Sequence, residues 1–218
     1  MKNSLKIIAV GALSMFVTSA AIAGGAIGIT VSAASIDASG HEQLKTTASK
    51  TTHSFSRDVV IASLFVENTN DEHGVTIGID YIPYNSEAGS GSNTGDDDIE
   101  TSGTNTVNVD FKHHVTLYVE KTVGDLGMYV KAGLSQVTLV TNDSLSTGAK
   151  YPNEDMTGYV LGIGFKRDLT NGIFFKLSGE YSKYDGATFK STGSDAVTTV
   201  ELTDLDITQA RLSIGRSF

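Results

Sequence analysis

From Val107 to Glu120 the chain alternates without a break. Val107, Val109, Phe111, His113, Val115, Leu117 and Val119 fall on one face, and Asn108, Asp110, Lys112, His114, Thr116, Tyr118 and Glu120 on the other. A period of two describes a strand whose faces meet different surroundings, and no amphipathic helix reads this way. Seven further segments share the habit. They put apolar faces on Ile27, Ile29, Val31 and Ala33; on Val60, Ala62, Leu64 and Val66; on Val75, Ile77, Ile79 and Tyr81; on Met128, Val130, Ala132 and Leu134; on Tyr159, Leu161, Ile163 and Phe165; on Ile173, Phe175, Leu177 and Tyr181; and on Ala210, Leu212 and Ile214.

The connections alternate in length. Short turns are expected at 68–73, at Gly124-Asp125-Leu126-Gly127 and at Thr170-Asn171-Gly172, with long polar loops at Asp37–Arg57, Asn85–Asn105, Thr141–Asp155 and Asp185–Asp204. Eight antiparallel strands with this asymmetry predict a closed transmembrane β-barrel with short periplasmic turns and long extracellular loops. Closure is required because an open edge in hydrocarbon leaves backbone groups unpaired. Pairing Val123 with Met128 across the Gly124–Gly127 turn sets Glu120 opposite Lys131 on the inward face, and the Thr170-Asn171-Gly172 turn sets Lys166 opposite Lys176. Tyr81, Tyr84, Phe111, Tyr159, Tyr181 and Tyr184 are expected to girdle the outer ends of the strands, and Phe165, Phe175 and Phe218 the periplasmic ends.

Both ends of the chain refine this picture. Lys2 and Lys6 precede an apolar run from Ile7 to Val17 and small residues ending in Ala21-Ile22-Ala23. This reads as a secretory signal peptide over residues 1–23, leaving a barrel domain over 24–218. The apolar run is too short for a spanning helix, which needs roughly 20 residues. At the other end Leu212, Ile214 and Phe218 lie on the outward face of a strand that stops on an aromatic. In that ending and the alternation before it, the chain resembles the small OmpA/OmpX-type outer-membrane barrels. The resemblance implies residence in the outer membrane of a Gram-negative bacterium, contact with its lipid and lipopolysaccharide, and handling by periplasmic chaperones and the barrel-insertion machinery.

The mean hydropathy of -0.04 hides the apolar surface in the alternation. There is no cysteine, so no disulfide or thiolate metal site is available. The formal charge of -9, more negative still without Lys2 and Lys6, argues against nucleic acid as a partner. By parity the lumen receives Glu67, Asp80, Asp110, Glu120 and Glu180 against Lys112, Lys131, Lys166, Lys176 and Arg211. Eight strands leave room for side chains and little else. Glu180 and Arg211 are expected at similar height on neighbouring strands, as part of a permanent internal salt-bridge network or as a gate that exchanges partners.

No catalytic constellation, cofactor site or metal site is evident. His113 and His114 face opposite ways, and His41, His53 and His73 fall in loops or turns. The run Asp96-Asp97-Asp98-Ile99-Glu100 has no dedicated calcium-loop spacing and reads as a solvated acidic loop, with bridging by divalent ions to lipopolysaccharide phosphates as the alternative. The sequence therefore supports a non-enzymatic envelope barrel with interacting surface loops. A narrow, porin-like channel for ions or small solutes is the alternative, and a lipid-modifying barrel enzyme a third reading.

Overall fold

The computed structural model describes residues 24–44, 50–95, 103–144, 150–192 and 198–218. The expected signal peptide at 1–23 and the acidic run at 96–100 lie outside them. Ten strands form one antiparallel sheet: β1 (Gly25–Leu44), β2 (Lys50–Asn70), β3 (Val75–Ile82), β4 (Ser86–Gly95), β5 (Gly103–Val123), β6 (Met128–Ser144), β7 (Glu154–Asp168), β8 (Ile173–Tyr184), β9 (Ala187–Lys190) and β10 (Thr198–Ser217). β3 and β4 successively occupy the position beside β5, and β8 and β9 the position beside β10. The wall thus has eight positions. Pairing of β1 with β10 from Ala26↔Ser217 onward closes the ring.

The predicted outward faces are those that the barrel leaves bare. Ile29, Leu64, Val130, Leu161, Leu177 and Leu212 stand exposed around it, as a lipid-facing band requires. Ile79 shares this parity but is covered, flanked by Val66 and Leu117 in the ladder.

Turn chemistry sets the registers. Gly124 and Gly127, at φ 66° and 80°, make the β5–β6 turn, and Glu120 pairs with Lys131 as the turn demands. Between β7 and β8 the turn is a single 3₁₀ turn with Asn171 and Gly172 both left-handed, and Lys166 pairs with Lys176.

Two expectations are corrected here. The long polar segments contain strand: β1 and β2 run through most of Asp37–Arg57, β4 and β5 enter Asn85–Asn105, β6 and β7 enter Thr141–Asp155, and β9 and β10 enter Asp185–Asp204. A membrane needs only about 9–11 tilted residues per strand. Strands of 20 or 21 residues therefore carry the wall well beyond the bilayer. Polar side chains masked this, since a strand in water on its outer face lacks the apolar stripe.

The second correction concerns β5. His113 adopts φ 53°, and the ladder with β6 slips between Lys112 and Val115, so that His113 and His114 together oppose Val137. This bulge inverts the alternation above it. Val109 and Phe111 turn inward onto the core, whereas Asp110 accepts a hydrogen bond from Asn142 on the exposed surface. Asp110 and Lys112 thus leave the predicted lumen set, and Phe111 leaves the outer girdle. Tyr184, also assigned to that girdle, is buried in the lumen at 2% exposure.

Candidate functional site

The lower lumen is filled by a plug of paired charges. Lys176 of β8 donates to Glu67 of β2 at 2.6 Å and to Glu120 of β5 at 2.7 Å. Lys131 of β6 donates to Glu180 of β8 at 2.9 Å, and Arg211 of β10 joins Glu180 at 3.1 Å to Asp80 of β3. Hydroxyls complete the set: Tyr118 donates to Glu67, Ser63 to Asp80 and Ser178 to Glu180. Buried charges persist when they are paired and hydrogen-bonded in this way.

Among the described residues the plug holds four carboxylates against three cations, and Glu67 Oε1 has no partner. Lys166 is not part of it. It lies over the Phe174 ring at 4.4 Å and 3.8 Å from Asp168, which is exposed. Lys176, its neighbour in the ladder, takes Glu67 and Glu120.

Four large rings seal the plug, each lying over a glycine. A Cβ built on Gly28, Gly78, Gly164 or Gly215 would come within 2.3–2.4 Å of Phe65, Tyr118, Tyr129 or Phe174 respectively. Only a bare backbone lets an eight-position barrel accept side chains of this size. The space left among Tyr118, Lys131 and Arg211 is a cavity of about 10 Å³, close to the smallest that holds one water.

Above the plug the lumen changes character. Ala34, Ile36, Ile61, Ile82, Val137, Leu139, Met156, Leu205 and Ile207 form a continuous buried cluster, with Phe189 and Tyr184, and Val109 and Phe111 pack against it. A cavity of about 450 Å³ opens within the rim, walled by Phe55, Val109, Leu139, Tyr151, Phe189 and Leu202. Between it and the plug, among Ile36, Ile61, Val137 and Ile207, lies a narrower space of about 40 Å³, the neck. The wall is also incomplete on one side. The β2–β3 ladder ends at Leu64↔Tyr81, and β4 pairs only with β5 among the described residues, so the upper half of β2 lacks a ladder partner there. Tyr84 closes part of this seam by accepting the Ala62 N–H at 2.5 Å.

No family model and no curated protein matches the chain. Solved structures do. The outer membrane protein OprG from Pseudomonas aeruginosa matches at a TM-score of 0.54 and 13% identity, over 90% of this chain and 97% of that one. The outer membrane protein AlkL, in lipid bilayers, matches at 0.46 and 11% over 88% and 90%, and the outer membrane protease OmpT from Escherichia coli at 0.45 and 11% over 89% and 96%. At these identities the likeness concerns the fold.

The chain has the fold of a small outer-membrane β-barrel. Localisation to the Gram-negative outer membrane accords with this barrel and its apolar band.

Within this outer-membrane barrel, Glu120, Lys131, Lys176, Glu180 and Arg211 all lie in the lower lumen, as parity predicts, in two ion-paired groups: Lys176 with Glu120 and Glu67, and Lys131 and Arg211 with Glu180. Leu212, Ile214 and Phe218 lie exposed on the last strand and at its end. The apolar upper lumen was missed. Its signal was available in the inward-parity residues Ile36, Ile61, Val137 and Ile207, which interrupt otherwise polar inner faces. Two histidines expected in loops belong to strands: His41 to β1, 3.0 Å from Glu201, and His53 to β2. His114 faces inward as its parity predicts, its Nε2 2.8 Å from Ser135 Oγ and 2.7 Å from the Tyr184 hydroxyl. His114 donates no hydrogen bond to a carboxylate among the described residues, and Asp80 accepts from Ser63 and Arg211 instead.

Proposed function

We propose that this barrel is non-enzymatic and admits apolar small molecules from outside the cell into its upper lumen, releasing them sideways into the bilayer. The observation that carries the reading is the abrupt change of lumen chemistry, apolar above and charged, with ion pairs, below. A water-filled pore would be polar along its length. Here an apolar solute entering the rim finds walls that favour it, and the plug blocks its straight path to the periplasm. The seam beside β2 supplies another way out. It begins next to Val60, whose side chain is 75% exposed on the apolar outer face, and it borders Ile61 and Ile82 on the inner one. An interacting surface remains compatible with this role, because the protruding wall presents exposed carboxylates.

The test is binding of a naphthylamine dye to the folded barrel in nanodiscs, with empty nanodiscs as the blank. Enhanced fluorescence that disappears in Leu139→Glu and Ile207→Glu variants supports the reading. Equal signals from wild type and both variants, each shown folded by its heat-dependent gel shift, overturn it.

A further inference from the structure

The neck between cavity and plug has apolar walls but a polar base. Ser182 of β8 and Gln209 of β10 line it from adjacent strands, with Ser182 opposite Ile207 and Gln209 opposite Glu180 in the ladder. Neither side chain makes a hydrogen bond among the described residues. The polar groups around them are engaged: His114 with Ser135 and Tyr184, Asp80 with Ser63 and Arg211, and Glu180 with Lys131, Ser178 and Arg211. A hydroxyl and a carboxamide without a protein partner at the end of an apolar cavity are free to bond a polar ligand group. Both are uncharged, and each donates and accepts.

Resting on the reading of the upper lumen as an apolar uptake route, we propose that the neck is a head-group site for amphiphiles with one neutral hydrogen-bonding head, such as a long-chain alcohol. The head lies between Ser182 and Gln209, and the chain runs outward along Ile36, Ile61 and Ile207. Size agrees with this division: the neck holds a head and the first methylenes, and the wider cavity above holds the rest. A carboxylate head is selected against. Both cations nearest the neck already hold carboxylates, Arg211 two of them and Lys131 one, so an entering anion gains no free partner and meets Asp80 and Glu180. Rejection of this kind needs no steric barrier, because the penalty is an unpaired buried charge.

Three photoreactive probes of equal chain length test the site on the folded chain in nanodiscs: a diazirine-bearing alkane, primary alcohol and carboxylate, with labelled positions read by mass spectrometry. The alcohol should label lumen segments at least about tenfold more than the carboxylate, because the carboxylate would bury an unpaired charge. Gln209→Leu should bring alcohol labelling down to the level of the alkane while alkane labelling persists, and Ser182→Ala offers a second, smaller change should Gln209→Leu fail to fold. Equal lumen labelling by all three probes, or alcohol labelling that neither folded variant alters, overturns the head-group site. Labelling by the carboxylate that matches the alcohol overturns its neutrality. Labels confined to lipid-facing residues for every probe overturn the uptake reading itself.

Discussion

Lys176 spans the lumen to Glu120, its Nζ 2.7 Å from a carboxylate oxygen on the opposite wall, and the same ammonium holds Glu67 at 2.6 Å. One cation therefore compensates two buried anions. Lys176→Met should cost about 3–5 kcal/mol, the scale for removing one member of a buried ion pair, because it leaves both carboxylates without a cation. Urea unfolding of the barrel in lipid vesicles measures this. Adding Glu67→Gln and Glu120→Gln to Lys176→Met should restore most of the loss; a triple variant no more stable than Lys176→Met alone would count against the account.

The plug also predicts electrical silence. With a cavity of about 10 Å³ among its charges, the wild-type barrel should show no reproducible openings in planar bilayers. Arg211 and Glu180 are the pair to vary, since Arg211 links two carboxylates. Steady wild-type openings that change in Arg211→Gln or Glu180→Gln would favour the channel, the alternative reading of the sequence.

Gly215 is expected to reject any side chain. A Cβ there would lie 2.4 Å from the Phe174 ring, which is fully buried, so Gly215→Ala should destabilise by about 1–3 kcal/mol through overpacking. Phe174→Leu in the same chain should recover part of that loss. Indifference of thermal unfolding to Gly215→Ala would show that the ring has room to move.

Deleting His113 should leave the upper lumen intact. His113 and His114 together oppose Val137, so removing one restores one-to-one pairing while Lys112 still meets Thr138, and Val109 and Phe111 keep their inward face. Dye binding in the upper lumen should persist, together with the heat-dependent gel shift of a closed barrel. Loss of binding in a folded variant would mean that the strand shifts its register instead of closing the gap.

How much was legible in the sequence follows from where two solvents meet. In the membrane, Leu161 and Gly162 or Leu212 and Ser213 report their faces directly, because lipid and lumen demand opposite polarity, and the hairpin registers that set Glu120 against Lys131 follow from parity and turn length alone. Above the bilayer that contrast fails. Water bathes the outer wall and apolar side chains fill the lumen, so the pattern weakens or reverses and β1 beyond Asp37 reads as loop. The His113 bulge was illegible for a different reason: the alternation from Val107 to Glu120 is unbroken in composition, and a left-handed histidine leaves no trace in a polarity pattern. The plug partners were foreseeable by face, but whether Lys176 chose Glu180 or the Glu67–Glu120 pair depended on reach across the ring, which no single strand encodes.

That bulge has a bearing on descent. Two residues share one ladder position there, so a codon gained or lost at His113 is absorbed on the spot and every residue above keeps its face. A lineage of such barrels can vary in length at this point without changing what its outer vestibule welcomes.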